Sequence, residues 1–132
     1  MLVDTSVWID FFNGYDSPEA TRLTQAIREG EPIALTGLVL TEILLGLKSD
    51  QEADRIADLL TAFEFVAEPT PEDYKAAARI YRTCRAQGFT IRSTIDCVIA
   101  QLALRDQRPL LSKDRDFAPI AQYTALELLP IS

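Results

Sequence analysis

Histidine is absent from this chain, and cysteine occurs only twice, at Cys84 and Cys97. Without an imidazole there is no histidine acid-base pair, no serine or cysteine triad that depends on one, and no zinc site built on histidine. The two cysteines fall in helical-looking stretches, which suits reduced, buried thiols better than a disulfide frame. Long apolar runs are lacking as well: no stretch reaches the ~18 uncharged apolar residues of a membrane span. No basic leader stands ahead of Met1-Leu2-Val3-Asp4. A cytoplasmic protein without a membrane partner is therefore expected. No repeat, low-complexity tract or linker interrupts the 132 residues, of which 48% are hydrophobic. That is enough for one domain spanning residues 1–132 to bury a core of its own.

Positive charge is the next deficit. The net charge is −7, which argues against a nucleic-acid partner if spread evenly, because phosphate binding draws on Lys and Arg. It is not spread evenly. Residues 79 to 116 hold eight cations against four acids, so that segment carries +4 and the remainder −11. If the segment forms one face, a basic rim can surround an acidic centre; ordinary solvated helix charges are the plainer reading of the same count.

Strand-like and helical patterns alternate along the chain. Leu2-Val3 is a short apolar run ending in Asp4, and Thr5-Ser6 opens a helix that Asn13-Gly14 stops. Ser17-Pro18-Glu19 starts a second helix through Ile27, and Pro32 to Leu35 reads as a second strand. Helices follow at 38–47, capped by Thr36, and at 50–63, then a third strand at 65–67. Thr70-Pro71-Glu72-Asp73 begins a helix that ends near Gly88, and Ser93 or Thr94 begins another that runs to about Arg105. Leu110 to Ser112 is a fourth strand, Asp116-Phe117 opens a short helix, and residues 125–129 form a fifth strand. The pattern predicts an α/β fold with a mostly parallel, five-stranded central sheet flanked by helices, whose functional groups collect at the carboxyl ends of the strands.

Two acids stand where acids are costly. Glu42 lies inside Leu38-Val39-Leu40-Thr41-Glu42-Ile43-Leu44-Leu45, and Asp96 inside Ile95-Asp96-Cys97-Val98-Ile99-Ala100. An ionised carboxylate among aliphatic neighbours needs compensation, unless it turns to solvent or pairs with a cation such as Arg92. Asp4 and Asp114 follow the first and fourth strands, so a parallel sheet sets both on its carboxyl edge. Taken singly, Asp4, Asp114 and Asp116 are also ordinary caps or turn residues. Together, two strand-end acids and two helix acids can converge into an oxygen-rich pocket, which selects Mg²⁺ or Mn²⁺. Such a site suits phosphodiester hydrolysis, in which a cation activates water and neutralises charge on the phosphate.

Val3-Asp4-Thr5-Ser6, Thr41-Glu42-Ile43 with Gly46 a turn later, Ile95-Asp96-Cys97-Val98-Ile99-Ala100 and Ser112-Lys113-Asp114-Arg115-Asp116-Phe117 together resemble, in order and spacing, the four motifs of VapC-type toxins of the PIN-domain family. The resemblance spans the whole chain. It implies a PIN-like fold and a Mg²⁺- or Mn²⁺-dependent endoribonuclease whose catalytic, metal-holding quartet is Asp4, Glu42, Asp96 and Asp114. Asp116 matches a fifth acid near the metal, Ser6 and Ser112 match polar supports of the first and last acids, and Arg92 matches a basic residue that would contact the nucleic acid. An RNA substrate, a homodimer and a VapB-type antitoxin with a basic segment are implied partners. Two rivals remain open. One is an aspartate-based, Mg²⁺-dependent phosphatase, although Ser6 occupies the position where such enzymes want a second Asp. The other is a PIN-like module that binds RNA or protein without cutting.

Overall fold

The computed structural model describes residues 1–131. Its first strand, β1 (Leu2–Val3), is fully buried and hands the chain directly to Asp4. Helix α1 (Thr5–Asn13) follows and ends at Gly14, whose φ of 68° is the left-handed closure that glycine adopts without strain. Helix α2 (Pro18–Arg28) starts as its sequence predicts: the Ser17 hydroxyl accepts the Ala20 amide, and proline fills the first turn where no amide is needed. Strand β2 (Ala34–Leu35), α3 (Gly37–Leu45), α4 (Asp50–Leu60) and β3 (Glu64–Phe65) come next. Helix α5 (Pro71–Ala86) opens on a full capping box between Thr70 and Asp73. Helix α6 (Thr94–Arg105), β4 (Leu110–Leu111) and α7 (Phe117–Tyr123) complete the order.

The strands pair in the order β3-β2-β1-β4, and every pairing is parallel. The chain moves outward from β1 to β2 and β3 on one side, then returns to place β4 on the other. The order therefore reverses between β1 and β4, and the carboxyl ends of strands flanking such a reversal form the crevice in which α/β proteins place ligands. Register sets Leu2 beside Leu110 and Val3 beside Leu111, so Asp4 and Ser112 leave the sheet at the same level.

The expected fifth strand is not formed. Residues 125–129 run alongside β4 but make a single parallel bridge, Leu110 with Leu128, through Leu110 N–H to the Glu127 carbonyl and Leu129 N–H to the Leu110 carbonyl. Pro130 follows at once and has no amide to extend a ladder. The sheet of the described residues thus has four strands.

Burial explains the rest. Leu2, Val3, Ala34, Leu35, Leu110 and Leu111 are fully enclosed, as expected when helices cover both faces of a parallel sheet. Trp8 packs against Phe11, Phe12 and Phe63 with ring centroids 5.1 to 6.0 Å apart, which locks α1 against the segment leading into β3. Cys84 and Cys97 are buried free thiols, and burial pushes Cys97 up to about 11. No helix among the described residues is long and apolar enough to cross a membrane.

Candidate active site

Each acid reaches the site by a different local device. Asp4 stands just past β1 and serves as the cap of α1, so the capping reading holds. Its Oδ2 accepts from the Ser6 amide at 3.4 Å, the Ser6 hydroxyl at 2.9 Å and the Ser112 hydroxyl at 2.9 Å. Those donors fix the carboxylate and leave Oδ1 without a hydrogen bond from the described residues. Ser112 also accepts the Asp114 amide at 2.9 Å, and Ser6 accepts the Lys113 amide at 3.1 Å. The two serines thereby stitch the loop after β4 to the loop after β1.

Asp96 lies in the first turn of α6 and is only 5% exposed. Its Oδ2 is buried and has no hydrogen-bond partner, a costly state for a carboxylate oxygen. Burial, then the negative charges of Asp114, Asp4 and Asp116, push its carboxyl up to about 8. One carboxylate oxygen from each of Asp96, Asp114 and Asp116 lies within 4.8 Å of the others. Asp116 is at the start of α7 but makes no capping bond there; its oxygens accept from Arg92 instead, at 3.2 Å from Nε and 3.2 Å from the backbone amide. Asp114 accepts the Asp116 amide at 2.9 Å and faces Arg92 Nη2 at 3.6 Å.

The acids expected from sequence do not all fall into one cluster. Asp96, Asp114 and Asp116 form the tight group, with Asp4 close enough to act on the Asp96 charge. Glu42 stands apart from the three. It is half-buried on α3, and its Oε1 accepts the Thr5 hydroxyl at 2.8 Å, which ties it to the residue beside Asp4. Thr5 was visible in sequence only as part of a helix start, and its reach to Glu42 across 37 residues had no local signal. Arg92 pairs with Asp116 and Asp114 rather than with Asp96. Of the cations in the basic segment, Arg105 and Arg108 are consumed by Asp73, Asp106 and Glu64, and Lys113 by Asp10. Arg79, Arg82, Arg85 and Arg115 are exposed and make no ion pair among the described residues.

The donor set fits a hard divalent cation. Every candidate ligand is a carboxylate, the group at the centre has an unpartnered buried oxygen, and neighbouring charges already oppose its ionisation.

A three-acid cluster thus sits at the reversal of a short parallel sheet, beside an Asp4 held by Ser6 and Ser112. The PIN domain family matches residues 1–123, and the chain belongs to that family. Its sequence is 34% identical to that of Ribonuclease VapC11 of Mycobacterium tuberculosis over 128 residues, 96% of each chain. Among solved structures it is similar to VapBC2 from Rickettsia felis bound to a promoter DNA fragment, with a TM-score of 0.75 and 17% identity, covering 97% of this chain and 96% of that one. VapBC-1 of nontypeable Haemophilus influenzae gives a TM-score of 0.73 at 20% identity, covering 97% and 95%. At those identities the solved structures speak for the fold.

Proposed function

We propose that this protein is the toxin ribonuclease of a VapBC-type toxin-antitoxin pair, one nuclease domain over residues 1–132 that hydrolyses RNA phosphodiester bonds with a divalent cation, Mg²⁺ or Mn²⁺. The observation that carries the reading is the orphaned Asp96 oxygen inside a three-acid cluster, in a chain 34% identical to a ribonuclease over nearly its whole length. The phosphatase reading loses ground: Ser6, where a second acid would be wanted, is spent on holding Asp4.

The geometry supports the following roles. Asp96, Asp114 and Asp116 would hold the cation, with Asp4 turned toward them by Ser6 and Ser112. Bound there, a divalent cation supplies positive charge that eases loss of a proton from water and stabilises the phosphate in its transition state. Glu42, which accepts the Thr5 hydroxyl beside Asp4, would orient the attacking water. Proton transfer falls to carboxylates and water, since the chain has no histidine. The exposed arginines of α5 and Arg115 receive the RNA backbone by charge. A VapB-type antitoxin with a basic segment would meet the acidic centre, and a homodimer in the cytoplasm is the working assembly.

The test is cleavage of a structured RNA by the full chain with EDTA, Mg²⁺ or Mn²⁺, alongside Asp4→Asn, Glu42→Gln, Asp96→Asn and Asp114→Asn. Each variant keeps side-chain shape and removes one charge, and each should lose at least about a hundredfold in rate, as deletion of a single electrostatic contributor does elsewhere. Near-normal cleavage by two or more folded variants, or undiminished cleavage in EDTA, would refute the assignment.

A further inference from the structure

Arg92 stands in the segment that leads into α6, two residues before the helix begins. It lies across the acid cluster. The guanidinium Nε is 3.2 Å from Asp116 Oδ1 and Nη2 is 3.6 Å from Asp114 Oδ1, while the Arg92 backbone amide donates to Asp116 Oδ2 at 3.2 Å. One residue therefore occupies both oxygens of Asp116 and leans on Asp114. Asp96, the most buried acid of the three, keeps one oxygen, Oδ2, without a partner. The arginine is exposed while its partners are not: its side chain is 60% accessible against 10% for Asp116 and 32% for Asp114.

We propose that Arg92 is a built-in counter-ion of the cluster, which a divalent cation must displace from Asp114 and Asp116, so that this side chain sets how tightly the site binds metal. The proposal rests on reading these acids as the cation site. The physical argument is competition for the same oxygens. A guanidinium donates to carboxylates and cannot accept, so it satisfies Asp116 when no cation is present and repels a cation that arrives. Displacement is inexpensive because the arm is long and already 60% accessible, so its head can move into water. The backbone amide of Arg92 still holds Asp116 after the guanidinium leaves, so the carboxylate stays aimed. The device is asymmetric: the two outer acids have a resident partner, and the inner one waits for the cation.

The test is binding of Mn²⁺ by the full chain, followed by calorimetry and by the electron-spin signal of free Mn²⁺, for wild type, Arg92→Ala, Arg92→Gln, Arg92→Lys and Asp96→Asn. Removing an exposed cation that competes for the site should tighten Mn²⁺ binding about fivefold in both Arg92→Ala and Arg92→Gln, with Arg92→Lys staying near wild type. Arg92→Gln keeps a polar stem and decides the matter if Arg92→Ala does not fold. A purely structural arginine would lower the melting temperature in EDTA and leave Mn²⁺ affinity unchanged or weaker; that result in the neutral variants overturns the proposal. If wild type binds Mn²⁺ and Asp96→Asn does not, the cation site stands whatever Arg92 does. If the two bind alike, the cation reading fails, and this inference with it.

Discussion

Replacing Asp96 by asparagine should make the metal-free protein more stable while disabling it, and the size of that gain should grow with pH. In the folded chain the Asp96 carboxyl is held up to about 8 against an ordinary value of 3.8, first by burial and then by Asp114, Asp4 and Asp116. A raised folded value favours the fold fully below the unfolded value, and the contribution disappears as pH rises through the folded one. At pH 7.5 the unfolded chain has shed this proton and the folded chain mostly has not, a penalty of about 5 kcal/mol by linkage; at pH 4.5 it is about 1 kcal/mol. Solvent at the mouth of the cluster makes the larger figure an upper bound. Half of it still moves the melting temperature of a chain this size by roughly 8 °C. Asparagine has no proton to lose and keeps the shape, so thermal melting in EDTA should show Asp96→Asn near wild type at pH 4.5 and clearly above it at pH 7.5. Mn²⁺ at ten times its dissociation constant should then return about 1.4 kcal/mol to wild type and less to the variant. A stability gap that does not change with pH, or an equal response of both proteins to Mn²⁺, would refute the reasoning.

Asp73 provides the opposite sign away from the site: its carboxyl is lowered to about 2, chiefly by the Thr70 amide, then by Gln101 and Arg105. That contribution is present above the unfolded value of 3.8 and is lost as pH falls through 2, so Asp73→Asn should cost about 2 kcal/mol in urea unfolding at pH 7 and far less at pH 2.5. Ser112→Ala removes the donor that joins Asp4 to the Asp114 loop, and RNA cleavage should fall about tenfold or more in kcat, with a melting loss of about 1 kcal/mol. RNA binding by the Asp96→Asn protein should weaken steeply with salt and weaken further in an Arg82→Ala, Arg85→Ala double variant; salt-independent binding would remove the arginine rim. Expression of the chain alone should arrest growth, and a cognate antitoxin should relieve the arrest, read as colony counts with and without the second gene.

Sequence carried the alternation of elements, because capping residues and proline act locally: Ser17-Pro18 and Thr70-Pro71 start their helices where expected. It also carried the position of Asp4, since an apolar pair followed by Asp places that Asp on the sheet edge by topology alone. What failed was ladder extent. Residues 125–129 have strand composition, but whether they pair beyond Leu128 depends on how they meet β4 and on Pro130. Long-range polar partners were equally invisible. Nothing near Arg92 says that it will choose Asp116, 24 residues away, over Asp96 four residues away. Glu42 was picked out by its apolar surroundings, and that signal marks an acid in need of compensation without naming who provides it. Thr5 does.

The strands β1 and β4 share only two register pairs, yet their pairing does not stop at the last strand residue. The Asp4 amide donates to the Leu111 carbonyl at 3.0 Å, and the hydroxyls of Ser6 and Ser112 carry the connection onward to Asp4, Lys113 and Asp114. The zipper continues in side chains after the backbone has run out of strand. Because strand side chains alternate faces, a slip of one residue between β1 and β4 would turn Leu110 and Leu111 the wrong way and carry Ser112 out of reach of Asp4 in the same movement. Correct assembly of the core and correct spacing of the acids are therefore a single event. A chain whose sheet is out of register would hold neither its core nor, on the proposed reading, the acids that bind the cation.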